Sequence, residues 1–218
     1  MMRPSTVVLT ISRELGSGGS YIGQSVARRL GLKYVDREIL QEAAKLLDVE
    51  DHDVERLEER VSTFWTRAAQ VFTLGGPDVT YAPPTLRAVY EEDLFRVESR
   101  IIQEIAARDS AVIVGRGGFH VLRDHPGLVS VFLHASEAWR AERIRATAGV
   151  ADFTSALEIL RRSDRDRARF IQSMTGLPWQ DAHRSHVCLD TSKLGLDTAV
   201  DLVARLVSIR LAQAPSQG

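Results

Sequence analysis

Apolar positions along the chain follow two spacings in turn: short β-branched runs, and longer stretches in which an apolar residue returns every three or four positions. The first run, Thr6 to Ser12 (TVVLTIS), predicts a buried central strand that ends at the glycine cluster Gly16-Ser17-Gly18-Gly19. Beyond it Ile22, Val26 and Leu30 stand at i, i+4 and i+8, with Gly31 where a helix ends, so a helix of about three turns is expected. Leu32 to Val35 suits a short second strand carrying Asp36 at its C-terminal end. Asp36 also suits the N-cap of a helix bearing Ile39, Leu40 and Leu47, and the two roles are compatible. Asp48 to Gly75 is charged with a helical pattern, and Gly75 to Thr85 (GGPDVTYAPPT), with three prolines and two glycines, is a loop.

Downstream, Leu86 to Arg108 places Val89, Leu94, Val97, Ile101 and Ile105 near a 3.6-residue period, which predicts one long amphipathic helix. Ala111 to Val114 is a third strand, ending in Gly115-Arg116-Gly117-Gly118, and Leu128 to Leu133 a fourth. A helix follows whose polar face holds Arg140, Glu142, Arg143 and Arg145, then a second charged helix, a fifth strand at His186 to Leu189 and a closing amphipathic helix at Asp197 to Leu211. Strands alternating with helices imply an α/β fold with a mostly parallel sheet covered on both faces. The helical stretch between the second and third strands is expected to be an inserted subdomain, and 212–218 a disordered tail.

At 218 residues, 44% apolar and 26% charged, the chain suits one domain with an elaboration. With 28 basic against 29 acidic side chains, no global charge draws it to nucleic acid or an anionic membrane, so any anion site is local. One cysteine, Cys188, excludes an internal disulfide and fits a reducing compartment; as a strand residue it is expected to be a small buried hydrophobe. The apolar run Val7 to Ile11 is far short of the roughly 20 residues of a membrane helix, and a cytoplasmic protein is expected. The six histidines show no paired metal-ligand spacing.

Candidate chemistry lies in three places. A strand, a glycine-rich turn and a helix start is the geometry in which backbone N–H groups and the helix dipole converge on a phosphate. Set against G-x-x-x-x-G-K-[ST], the segment Arg13 to Ser20 keeps Gly18 and Ser20, but has Arg13 for the first glycine and Gly19 for the lysine. That lysine neutralises β- and γ-phosphate charge; with glycine there another cation must do so, and Arg13 at the loop entrance is the nearest. A turn needed only to pass from strand to helix is the competing reading. Second, Arg161 to Arg169 holds five arginines in nine residues. Arg162, Asp166 and Arg169 share one helical face suited to a phosphate and a sugar hydroxyl, or simply to solvent and i,i+4 pairing. Third, Arg116 after the third strand sits where doubly wound sheets bind ligands.

These segments resemble the cytidylate kinase-like family, a branch of the P-loop nucleoside monophosphate kinases. The resemblance is carried nearly end to end by ISRELGSGG (Ile11 to Gly19), YVDREIL (Tyr34 to Leu40), VGRGG (Val114 to Gly118), SDRDRAR (Ser163 to Arg169), TGLPW and VCLDTSKLGLDTAV. It implies a P-loop type five-stranded parallel core (5–36 and 109–211), a helical acceptor insert over 37–108 and a lid near 157–176. It further implies an ATP- and Mg2+-dependent phosphotransferase acting on a small acceptor, CMP or dCMP foremost. Gly16, Ser17, Gly18, Gly19 and Ser20 would cradle the donor phosphates, with Ser20 on Mg2+. Arg13, Arg162, Arg165 and Arg169 would supply catalytic charge, Arg116 would hold the acceptor, and Asp36 and Asp166 would orient magnesium or hydroxyls. The lysine at 19 and an acid at 117 are missing, which leaves two alternatives open: a catalytically silent nucleotide-binding regulator, or a kinase for a non-nucleotide small molecule.

Overall fold

The computed structural model describes residues 6–37 and 88–213. The expected helix bearing Ile39, Leu40 and Leu47, the charged stretch 48–75, the loop 75–85, most of the insert and the tail lie outside the described residues.

Five parallel strands form one sheet: β1 Val8–Arg13, β2 Lys33–Val35, β3 Ala111–Val114, β4 Leu128–His134 and β5 Val187–Asp190, in the order β2-β3-β1-β4-β5. Burial on both faces explains the unbroken apolar runs. On one face Val7, Leu9, Ile11, Val112, Val114, Val129, Val131 and Leu133 pack against α1 (Gly19–Leu30) and the C-terminal helix Leu196–Gln213. On the other, Val8, Ala111, Ile113 and Leu128 pack against Ile101, Ile102 and Ile105 of α2 (Ala88–Arg108). A third cluster, Leu15, Ala141, Ile144, Ala156 and Leu160, is built by α4 (Glu137–Ala148) and α5 (Phe153–Thr175) beneath the β1–α1 loop.

Two four-residue helices, α3 (Gly118–Val121) and α6 (Thr191–Leu194), did not show in the periodicity, because one turn holds too few positions to repeat. The C-terminal helix is therefore α7. A single 3-10 turn, Ala182–Arg184, leads into β5.

Two expectations are corrected. Cys188 is exposed, since β5 is an edge strand with only β4 beside it. Arg140 belongs to no polar outer face: it is 4% exposed, and carboxylates and carbonyls surround its guanidinium.

The first strand crosses the middle of the sheet; the chain leaves it toward one edge, for β2, and leaves its neighbour β3 in the opposite direction, for β4. The C-terminal end of β1 is thus the switch point at which sheets of this kind open a ligand crevice.

Candidate active site

The loop from Glu14 to Gly18 turns back on itself at the end of β1. Ser17 is fully buried, and its hydroxyl donates to the Glu14 carbonyl (2.9 Å) with the Leu133 carbonyl also in reach (3.3 Å), so it braces the turn internally. Gly18, at φ 87°, is the N-cap of α1, and no side chain caps the helix. The left-handed conformation costs glycine nothing, and it leaves the first-turn N–H groups of α1 directed at the crevice. A side chain at 18 would also strike Leu196 Cδ2, 2.3 Å from a Cβ built there.

Arg13 does not leave the site. A Cβ on Gly19 would lie 2.6 Å from Arg13 Cγ, and a Cβ on Gly115 would lie 1.8 Å from Arg13 Nη1. The arginine therefore runs across the first residue of α1 and ends beside the turn after β3, in a channel that exists because both positions are glycine. Its charge also acts on the Tyr34 hydroxyl, which faces Ser20 and Asp36. Burial and the nearby Asp36 carboxylate push the Tyr34 phenol well above its ordinary range, so it stays a neutral hydroxyl. Arg13, Ser20, Tyr34 and Asp36 are thus gathered at one end of the sheet.

Arg116 is placed otherwise. Its backbone takes φ 50°, and its guanidinium donates from Nε (2.7 Å) and Nη2 to Oε2 of Glu98, a residue with no exposed surface. The face of the guanidinium lies 4.6 Å from the centroid of the Phe170 ring, and Phe170 meets Phe95 edge-on at 5.6 Å. This pair joins α2, the β3 turn and α5. Burial raises the Glu98 carboxyl, while the Arg116 and Arg37 charges oppose that shift.

On α5 each residue advances about 100°, so Leu160, Asp164, Arg167 and Ile171 share a face. That face meets the rest of the protein: Leu160 and Ile171 are buried, and Asp164 reaches the β1–α1 loop. Arg162, Arg165 and Arg169 are exposed on the other side, and Asp166 is half-buried. The pattern of five arginines therefore splits, with Arg161 bound to Glu137 (2.7 Å) and Arg167 within 3.4 Å of Asp164.

Residues that sequence reasoning passed over are Glu14, Glu98, Arg140, Asp164, Arg167 and Phe170. Only the SDRDR run signalled any of them, and there the choice of face decided which arginines and aspartates were weighed.

Among the described residues no group of three or more His, Cys, Asp or Glu gathers as a metal site. The Ser20 hydroxyl and the Asp36 carboxylate, both facing Tyr34, do suit Mg2+ carried in by a nucleotide, because such an ion keeps most of its ligands as water and phosphate oxygen. Nor is any described helix long and apolar enough to cross a membrane.

A five-stranded parallel sheet of this order, with a glycine loop at its switch point and helices on both faces, defines a P-loop kinase fold. The chain belongs to the cytidylate kinase-like family, whose model matches residues 8–193. It is 30% identical over 94% of its length to a cytidylate kinase from Mycobacterium avium, covering 96% of that protein. Among solved structures it resembles an uncharacterized protein from Eubacterium ventriosum (TM-score 0.69, 21% identity, 93% of this chain and 99% of that one). It also resembles a gluconokinase from Sinorhizobium meliloti (TM-score 0.50, 18% identity, 98% and 100%).

Proposed function

We propose that this protein is an ATP- and Mg2+-dependent phosphotransferase that moves the γ-phosphoryl group to a nucleoside monophosphate, CMP or dCMP foremost. One observation carries the reading: the Arg13 stem passes over Gly19 and its guanidinium ends beside Gly115 at the turn after β3, so a cation is supplied to this end of the sheet from the end of β1 in place of the one missing from the helix start. Catalysis of this kind is mainly positioning and charge neutralisation, which a fixed arginine can provide. Gly16 to Ser20 hold the donor phosphates through backbone N–H groups, and Ser20 with Asp36 holds the magnesium. Arg162, Arg165 and Arg169 join them when the lid closes, with Asp166 on a hydroxyl and Arg116 toward the acceptor. Similarity to the mycobacterial cytidylate kinase supports the acceptor class.

A second reading, transfer to a non-nucleotide acceptor, is favoured by Arg116, whose Nε and Nη2 are already held by Glu98 and whose face is covered by Phe170. One experiment separates the two: coupled ADP release with MgATP, scanned over CMP, dCMP, UMP, AMP, GMP, gluconate and shikimate. The expected result is turnover with a pyrimidine monophosphate, lowered at least about 100-fold by Arg13→Ala and reduced by Arg162→Ala. Turnover with a sugar acid alone would establish the second reading. Binding of ATP with no turnover on any acceptor would leave the silent regulator.

A further inference from the structure

A second arginine is built into the donor loop, and nothing in the phosphate-binding scheme above uses it. Arg140, in the first turn of α4, is buried, and its guanidinium reaches the loop at Glu14 and Leu15, the chain just after β4 at Ala135, and α5 at Asp164. Nε donates to the Ala135 carbonyl (3.1 Å) and lies 3.3 Å from Glu14 Oε2; Nη1 donates to the Leu15 carbonyl (3.1 Å) and to Asp164 Oδ2 (2.6 Å). Asp164, on α5, turns its other oxygen to the loop and accepts the Leu15 N–H at 2.9 Å. Arg167 reaches that same oxygen at 3.4 Å. Glu14 is held in turn by the Ala135 N–H (3.2 Å) and by Gln180 Nε2 (2.9 Å), from the segment that follows α5. Gly16 completes the set, since a Cβ there would stand 3.0 Å from the Arg140 carbonyl.

Three consecutive loop residues, 14, 15 and 16, are thus fixed by α4 and by two further points, Asp164 within the arginine-rich segment of α5 and Gln180 in the segment that follows it. We infer that Arg140 and Asp164 are positioning residues for the donor phosphates: they hold the loop in its phosphate-binding shape and make that shape depend on where α5 lies. Neither side chain touches a phosphate. The Leu15 N–H that Asp164 takes lies at the entrance of the loop, before the N–H groups of Gly16 to Ser20. Because the ion pair is buried, an uncompensated partner would force the loop to rearrange. Helix α5 is accordingly fastened to the loop at Asp164.

The inference rests on the proposed function for the identity of the ligand, so the test reads donor binding separately from transfer. MgATP affinity is measured by titration calorimetry for the wild type, Asp164→Asn, Arg140→Lys, their double variant and Glu14→Gln, a milder change because Glu14 lies 3.3 Å from the Arg140 Nε where Asp164 lies 2.6 Å from Nη1. Val207→Ala, in the core three turns along α7 from Leu196, serves as a control that lowers thermal stability away from the loop. The expected result is at least tenfold weaker MgATP binding in each of the two single variants. The double variant should be no weaker than the worse single, Glu14→Gln should lose three- to tenfold, and Val207→Ala should stay within twofold of wild type. In steady-state assays KM for ATP should rise while KM for the acceptor holds. Asp164→Asn binding MgATP within twofold of wild type overturns the inference and leaves the proposed function standing, as does equal weakening in Val207→Ala. If Asp164→Asn does not fold, Glu14→Gln decides, an unchanged affinity again overturning it. Wild type that fails to bind MgATP removes both.

Discussion

Arg13 and Gly19 form a pair in which each residue's identity depends on the other. A lysine at 19 needs the volume that Arg13 Cγ fills 2.6 Å from its Cβ, so Gly19→Lys alone is expected to lose MgATP affinity and to unfold at lower temperature. Arg13→Gly alone removes the cation. The double exchange, Arg13→Gly with Gly19→Lys, recreates the commoner arrangement and should recover turnover above either single variant; additive losses in the double would show that the two side chains do not share the space. The exchange was legible in the sequence, because a strand, a glycine loop and a misplaced cation are all local. The Arg140 network was not, because its partners lie at 14, 15, 135 and 164. Residues so far apart are brought together only by packing, and arginine carries a prior for the surface. The same holds for Glu98, an acidic residue on an amphipathic helix whose burial follows from meeting Arg116.

Between residues and fold, the strands were the most legible elements, each falling within two residues of its expected position, because burial on both faces imposes unbroken apolar runs. Helix α5 shows the limit of this kind of reading: a charged helix around Arg161 to Arg169 was expected without bounds, and the spacing of arginines alone does not say which face packs. Its partner α4 starts at an N-cap, Ser136, whose side chain accepts from the Trp139 N–H. Ser136→Ala should lower unfolding free energy by about 1 kcal/mol in denaturant titrations, an unchanged midpoint showing the cap to be idle. Outside the buried network, α4 and α5 are also joined by Glu137 and Arg161. Hydrogen bonding to Arg161 holds the Glu137 carboxyl below its usual value of 4.5. A carboxyl so depressed contributes stability above that pH and loses it as the folded form takes up a proton below it. Thermal melts of Arg161→Ala and wild type should therefore differ slightly at pH 7 and converge toward pH 3; parallel curves would rule the contribution out.

For the whole molecule, the titration of His120 should be visible near neutral pH. Burial foremost, then the charges of Arg184 and Arg123, hold the His120 imidazole below its usual 6.5. Below that pH the unfolded chain binds a proton that the folded chain refuses, so the protein should lose stability as pH falls from 6.5 toward the lower folded value. His120→Gln should flatten that limb of a melting curve recorded from pH 7.5 to 5, and an unchanged slope would assign it elsewhere. The placing of Arg13 also has a consequence for how the protein is detected. The chain has only three lysines, Lys33, Lys45 and Lys193, and none lies in the β1–α1 loop. Acyl-phosphate nucleotide reagents, which tag ATP sites by acylating a nearby amine, should therefore leave this loop unmarked in a proteome survey, while a guanidine-directed dicarbonyl should modify it and be blocked by bound nucleotide.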